Sequence, residues 1–461
     1  MYKNIPRLVI AATQSGAGKT TIVTGIISAL VKRNLIVQSY KVGPDYIDPG
    51  YHSLASGRPT HNLDTWLIPE NRLREIFYNT SNDADIAIIE GVMGLYDGGR
   101  NGISSTAQIS KILNAPVILV IDVKSMGDSA AAIALGFREY DKNLNFAGVI
   151  LNRVGSDNHR MMIEESLANI GIKCFGAIKR DTNLSTPERH LGLLPTSENL
   201  SSGLIENIGT AIDSQVDIDD LIVVSKVKSF SRPTIQSVEP NYSKNFSVKI
   251  GVAHDEAFNF YYPESLRILE SLGAKIVKFS PLNDKKIPYV DGLIIGGGFP
   301  EMFAVQLENN ISMRESIKNA ATSGLPIFAE CGGYMYLMNE LIDFEGQNYK
   351  MVGVIDNVAK MNKKLQMVGY VKSQLMSNCL IGKAGDTLHA HEFHFSNEIN
   401  DKNNRQNIFQ CEKIRNGERY FAGYFSKNIV ASYLHIHFAG CISAAINFVE
   451  NCQEYHDHCK L

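Results

Sequence analysis

Residues 325–338 read LPIFAECGGYMYLM. Five mostly apolar residues suited to a strand run into Glu330, Cys331 and the pair Gly332–Gly333, after which an apolar pattern resumes as a helix. A strand, a tight turn and a helix in that order form the joint of an α/β sheet, and ligands bind at the carboxyl edge where such joints lie. Glycines are needed beside Cys331 because side chains there would collide with a substrate and with the tight backbone. A thiol at a helix start has its ionised form favoured by the aligned backbone dipoles, and thiolate is the reactive form. The stretch therefore predicts an exposed nucleophilic cysteine, with a buried structural cysteine as the plain alternative.

Such a nucleophile needs an oxyanion site and a base. Upstream, IIGGGFPE (294–301) ends the preceding strand with Gly296, Gly297 and Gly298, whose backbone N–H groups can meet a developing oxyanion. Downstream, ASYLHIHFAG (431–440) carries His435 and His437 in an alternation that places both on one face of a strand. Either is a candidate base.

Outward from this turn, residues 247–445 alternate strand and helix patterns through SVKIGVAHD, KIVKFS and DGLIIGGGFP, and become loop-rich and β-like beyond about 350. Residues 226–246 are rich in Ser, Lys and Pro with few aliphatics, the composition of a linker. Ahead of it, residues 1–225 hold five apolar runs (RLVIAAT, IVQSYKVG, DIAIIEGV, APVILVIDV, FAGVILNRV) separated by helical stretches. That pattern predicts a doubly wound parallel sheet. Residues 446–461 read as a polar tail in which Cys452, His456, His458 and Cys459 follow no standard zinc spacing, and a frayed end is expected.

The first sheet carries phosphate chemistry. TQSGAGKTT (13–21) follows the first strand and opens a helix. Gly16, Gly18, Lys19 and Thr20 fit the phosphate-binding loop, with Thr13 in place of its first glycine and Thr21 following. KVGPDYIDPGYH (41–52) comes after the second strand, and its Asp45 and Asp48 suit Mg²⁺ or a substrate. Glu90 ends a buried apolar strand, which is expensive unless the carboxylate meets a metal or a basic group, so it is a further Mg²⁺ candidate with Thr20. Asp97 lies where a substrate arrives or simply forms a turn; Asn152 reads an adenine edge or simply ends its strand.

The 461 residues are 44% hydrophobic with net charge −3 and no basic cluster, which argues against nucleic acid or anionic lipid as partners and for small-molecule chemistry. The start lacks a signal-peptide pattern, no run of membrane-spanning length stands out, and seven scattered cysteines suit reduced thiols; a cytoplasmic protein is expected.

Taken together, FAECGGYMYL, GGGFPE and YLHIHF resemble the class I glutamine amidotransferase domain, a flavodoxin-like α/β fold, in the variant joined to a P-loop domain of the dethiobiotin-synthetase type. With SGAGKTT, KVGPDYIDP, EGVMGLYDG and AHEFHFS added, nearly the whole chain is similar to the cobyrinate a,c-diamide synthase family. The resemblance implies that Cys331 attacks glutamine with His435 as base and Gly297 and Gly298 as oxyanion donors. It implies that ATP and Mg²⁺ activate the a and c acetates of a corrinoid, with Lys19 and Lys41 on phosphates, Asp45, Asp48 and Glu90 toward Mg²⁺ or phosphate, and Tyr46 and Asp97 near the substrate. Glutamine, ATP and the tetrapyrrole are then the partners, and a homodimer is allowed. Nickel-sirohydrochlorin a,c-diamide synthases share the architecture, and a P-loop switch carrying an inactive amidotransferase fold is the alternative of another class. Ordinary class I amidotransferases place Glu two residues after the histidine; here His437 stands there, so the group that orients His435 is open. His391, Glu392 and His394 of HEFHFS have no assigned role.

Overall fold

Arg7–Ala12 (β1) is buried at every one of its six positions. A strand covered on both faces is what the interior of a parallel sheet demands. The computed structural model describes residues 4–181, 188–189, 192–193, 202–227, 246–399 and 407–459. In its first part, β1 is joined by β2 (Val37–Val42), β3 (His61–Leu63), β4 (Ile86–Glu90), β5 (Val117–Asp122), β6 (Phe146–Val154) and β7 (Cys174–Lys179). The order is β3-β2-β4-β1-β5-β6-β7, and every neighbouring pair is parallel. Five of these strands coincide with the apolar runs of the sequence. β3 (HNL) and β7 (CFGAIK) were not legible, because one is short and polar and the other is interrupted by glycine.

The chain reverses its direction of winding at β1, which lies between β4 and β5. The carboxyl ends of β1 and β4 therefore border the crevice where ligands of open α/β sheets bind. Helix α1 (Lys19–Lys32) follows β1 directly, and helix α2 (Asp48–Ser56) follows β2. Two glycines let α1 approach the helix Ser202–Asp213 closely. A Cβ on Gly25 would lie 2.3 Å from Ile212 Cγ1, and one on Gly209 2.3 Å from Ser28 Oγ.

By contacts the chain divides into two units, 1–236 and 237–461. The second holds a six-stranded sheet in the order Ala274–Phe279, Val248–Ala253, Gly292–Ile295, Ile327–Glu330, Ile429–Ser432, Tyr424–Phe425, parallel except for its last pair. A five-stranded antiparallel sheet places Met367–Leu375 beside Thr387–His394 and then His435–Ile436. The sequence expectation of a strand running through both histidines is corrected here: the strand ends at Ile436. The frayed tail is corrected too. One helix runs from Ile442 to Cys459, held by the burial of Ala444, Ala445, Phe448, Val449 and Cys452 on one face. Most of the segment read as a linker, 228–245, lies outside the described residues. Among the described residues no helix is long and apolar enough to cross a membrane.

Gly25→Ala should destabilise the first unit by about 1–2 kcal/mol. Overpacking against Ile212 Cβ and Cγ1 outweighs the helix propensity that alanine adds. Calorimetric unfolding checks this; an unchanged or raised transition would mean that α1 and Ser202–Asp213 are not closely packed.

Candidate active sites

The turn from β1 into α1 runs through Gly16 (φ +75°) and Gly18 (φ +91°), both in the left-handed region that favours glycine. A Cβ on Gly18 would lie 2.3 Å from Asn152 Nδ2, so a side chain there would drive the end of β6 away. Asn152 Nδ2 instead donates to Ala17 O at 2.8 Å, and its amide braces the loop. Lys19 Nζ donates to Met93 O at 2.7 Å, tying α1 to the segment after β4. Its pKa is lowered by burial and then by Lys41. Asp97 Oδ2 accepts from Gly94 N at 3.0 Å, which is the turn-forming alternative for that residue.

Behind the loop lies a buried polar cluster. Lys41 Nζ donates to Glu90 Oε1 (2.9 Å), to Gly91 O (3.2 Å) and to Asp48, and Asp45 Oδ2 is 3.9 Å away. Glu90 is fully buried, yet its pKa is lowered: burial pushes it up, but Lys41 and His52 outweigh burial. Lys41 is likewise raised against its burial by Asp48 and Glu90. Thr20 Oγ1 donates to Glu90 Oε1 at 2.9 Å. Asp45 Oδ1 accepts from Ile47 N (2.8 Å) and Asp48 N (3.2 Å), shaping the entry to α2, while Tyr46 is half-buried between them. Asn62 holds this segment by donating to Gly43 O and Asp45 O.

Do these residues fit a magnesium nucleotide? Two neighbouring ligands of an octahedral Mg²⁺ are about 2.9 Å apart. The Thr20 hydroxyl and Glu90 Oε1 have that spacing, beside a glycine-rich helix start that favours phosphate. Asp45 and Asp48 both turn toward Lys41, and among the described residues no three acidic, Cys or His side chains form a cage of their own. The fit is to an ion completed by phosphate oxygens and water, as Mg²⁺ prefers.

At the other turn, Cys331 has φ +47° and ψ −103°, a strained backbone for a residue with a Cβ. It is the N-cap of the helix Gly332–Leu337, and its N–H donates to Ser432 O at 2.7 Å. A Cβ on Gly333 would lie 2.0 Å from Ile295 O; one on Gly332 would lie 2.9 Å from Pro300 Cδ and 3.1 Å from Gly298 N. The glycines thus let the two strand ends touch and bring Gly298 N to the border of the cysteine turn. Gly296 N donates to Tyr261 Oη at 2.8 Å and is taken up in structure. His435 packs on Gly297, where a Cβ would lie 2.7 Å from its Cε1. His437 turns elsewhere: its Nδ1 accepts from Ala439 N at 3.2 Å, and its ring stacks on Tyr262 at 4.6 Å. The structure thereby separates two histidines that spacing left equivalent.

The expected exposed, thiolate-prone cysteine is corrected. Cys331 is only 8% exposed, and its thiol is pushed up by burial first and by Glu301 next, against the Gly332 N–H. A six-residue helix does not offset that desolvation. Directly across the antiparallel pair from His435 stands His391, so both side chains lie on one face. His435 is pushed down to about 3 by burial, then by His391 and His394. The resting chemistry is a neutral thiol and a neutral imidazole.

Buried carboxyls surround this unit's site. Burial pushes Glu330 up to about 8, opposed by the Ile436 N–H at 2.9 Å, and Glu392 up to about 7, opposed by the Tyr420 hydroxyl at 2.7 Å. Burial takes His394 down to about 4, although its Nδ1 donates to Ser396 O at 2.8 Å. Below pH about 6.5 the unfolded chain takes protons that buried His394 and His435 refuse, so stability falls with acid. Above about 4.5 the unfolded chain releases protons that Glu330 and Glu392 keep, so stability falls with alkali up to about 8. The combined contribution of these four groups to stability is greatest between about pH 4.5 and 6.5. Glu330→Gln keeps an oxygen for Ile436 N and should flatten the alkaline arm by about 1 kcal/mol per pH unit between about 6.5 and 8. Calorimetry of both proteins across that range checks it; an unchanged slope would show Glu330 to be ionised.

Residues 8–194 match the model of the CobQ/CobB/MinD/ParA nucleotide binding domain, and residues 249–441 match the CobB/CobQ-like glutamine amidotransferase domain. The chain is 42% identical over 451 residues to the cobyrinate a,c-diamide synthase of Caldanaerobacter subterraneus subsp. tengcongensis, covering 97% of this chain and 98% of that one. It is 42% identical over 454 residues to the protein of that name from Picrophilus torridus, covering 97% and 99%. The one from Methanobrevibacter smithii is 41% identical, covering 97% and 99%. With both halves matched and relatives of this identity aligned along nearly their full length, the chain belongs to the cobyrinate a,c-diamide synthase family.

Proposed function

We propose that the chain is an ATP-dependent, glutamine-hydrolysing ligase that converts the a and c acetate carboxylates of cobyrinate to amides, in cobalamin biosynthesis. The supporting observation is that one polypeptide carries two strand-to-helix turns of different chemistry. One is a glycine loop with Lys19, Thr20 and Glu90; the other is a cysteine elbow with His435 packed against Gly297.

At the elbow, Cys331 Sγ attacks the side-chain amide carbonyl of glutamine. Because thiol and imidazole are both neutral at rest, the Sγ proton passes to His435 as the S–C bond forms. His435 then hands that proton to the departing nitrogen, which leaves as ammonia. Gly297 and Gly298 N–H groups serve the oxyanion. Water, deprotonated by His435, hydrolyses the thioester to glutamate and restores the thiol. At the loop, a substrate carboxylate oxygen attacks the γ-phosphorus of ATP, ADP departs, and an acyl phosphate forms. Ammonia attacks its carbonyl, phosphate leaves, and an amide remains. A carboxylate is a poor electrophile, and the phosphate supplies the leaving group. Thr20 and Glu90 would hold Mg²⁺, which would supply neutralisation of the phosphate charge. Lys19 and Lys41 face the phosphate charge, Thr21 follows in the first turn of α1, and Asn152 keeps the loop in shape. Asp45 and Asp48 serve Mg²⁺ or phosphate beside Lys41, and Tyr46 and Asp97 are assigned to the substrate.

Incubation with cobyrinate, ATP and glutamine, followed by mass spectrometry, should show two successive replacements of OH by NH₂. Absence of both with cobyrinate, and their presence with nickel-sirohydrochlorin, would reassign the macrocycle. Cys331→Ser should lower glutamine-dependent amidation by about 10³-fold or more while ammonia-dependent amidation persists. Loss of both would contradict a division of labour between the sites. Lys19→Ala should lower both nitrogen routes by about 10²–10³-fold; amide formed from ammonia at the wild-type rate would remove ATP as the activator.

A further inference from the structure

His52 is wholly buried in α2 and both ring nitrogens are engaged. Nε2 meets Glu90 Oε2, and Nδ1 lies 3.2 Å from Thr24 Oγ1 on α1. A carboxylate oxygen accepts, so Nε2 is the nitrogen that donates to Glu90. On the other side the Thr24 hydroxyl lies within hydrogen-bond distance of Nδ1 and holds the ring in place. The two Glu90 oxygens are thereby divided. Oε2 belongs to His52, while Oε1 receives both Thr20 Oγ1 and Lys41 Nζ at 2.9 Å. His52 lies four residues after Asp48 on α2, so the two share a face, and both turn to the Lys41–Glu90 pair.

We propose that His52, braced by Thr24, is the positioning residue of the nucleotide end: it captures one oxygen of Glu90 and so aims the other at the hydroxyl of Thr20. The inference rests on the reading above that Glu90 and Thr20 face the magnesium of a bound nucleotide. Without His52, the carboxylate can rotate about its last bond and Oε1 no longer has a fixed place beside Thr20. A group that orients a metal-facing carboxylate in this way typically changes metal affinity by about 10–100-fold when removed.

The experiment is calorimetric titration of the full-length protein with ATP over a series of Mg²⁺ concentrations, with glutaminase activity as an independent readout from the other unit. His52→Ala should raise the Mg²⁺ needed for half-maximal ATP binding by about tenfold or more, with glutaminase activity within about twofold of wild type. His52→Gln, whose amide N–H can still donate to Glu90, should recover most of that loss. Glu90→Gln is run alongside. If Glu90→Gln shifts the Mg²⁺ requirement and His52→Ala does not, the positioning role is overturned while the nucleotide reading stands. If neither shifts it, the reading of Glu90 falls and this inference with it. Should His52→Ala fail to fold, Thr24→Val removes the brace from the far side. A rise of about threefold is then expected, and an unchanged requirement overturns the proposal.

Discussion

A carboxylate buried where a parallel strand ends has to be reconciled with the loss of its water, and the chain does so twice in opposite ways. Glu90 ends β4 and Glu330 ends the strand Ile327–Glu330; glycine follows the first, cysteine and two glycines the second. Glu90 is met by Lys41, His52 and the hydroxyl of Thr20, and keeps its charge. Glu330 is met by the backbone N–H of Ile436, and burial keeps its proton on to about pH 8. One site thus concentrates fixed charge of both signs, as phosphate and a divalent cation require. The other holds its thiol in a largely desolvated setting, with the Glu301 carboxylate as the first charge to act on it. Glu330 also ties the strand end before Cys331 to the residue after His435, so the positions of Cys331 and His435 are referenced to one another through one carboxyl.

Close backbone approach is the second constraint, and glycine is its means in both units. Gly18 admits Asn152 to the phosphate loop; Gly332 and Gly333 admit the end of the strand Gly292–Ile295 to the cysteine turn; Gly297 admits the ring of His435. In each case a single added methyl group would meet an atom at less than 3.0 Å. The sites are therefore made by contact between strand ends, and their geometry is no more adjustable than the sheets beneath them.

Much of this was legible. Glycine loops, the lysine and threonine that follow one, and a cysteine between strand and helix are local signals, because they are set by the backbone of a few consecutive residues. Protonation was not legible. The argument that singled out Glu90 applies equally to Glu330, and nothing local separates them: the lysine that holds Glu90 ionised comes from β2 and the histidine from α2. The dipole argument for a Cys331 thiolate failed for the same reason, since desolvation and the carboxylate of Glu301 come from chain segments far from the turn. His52 stood in a stretch already singled out and went unassigned, though its four-residue spacing from Asp48 on a helix was the available signal.

The sequence alone determined the class of fold, the two turns, and the residue types that a phosphate and a thioester call for, because hydrophobic periodicity and backbone permissiveness act over short spans. Tertiary structure decided which histidine packs on Gly297, which buried acids are charged, and how the oxygens of Glu90 are shared. Those outcomes depend on burial and on partners brought together by parallel strand order, and that order places β4 between β2 and β1 although it follows both in the chain.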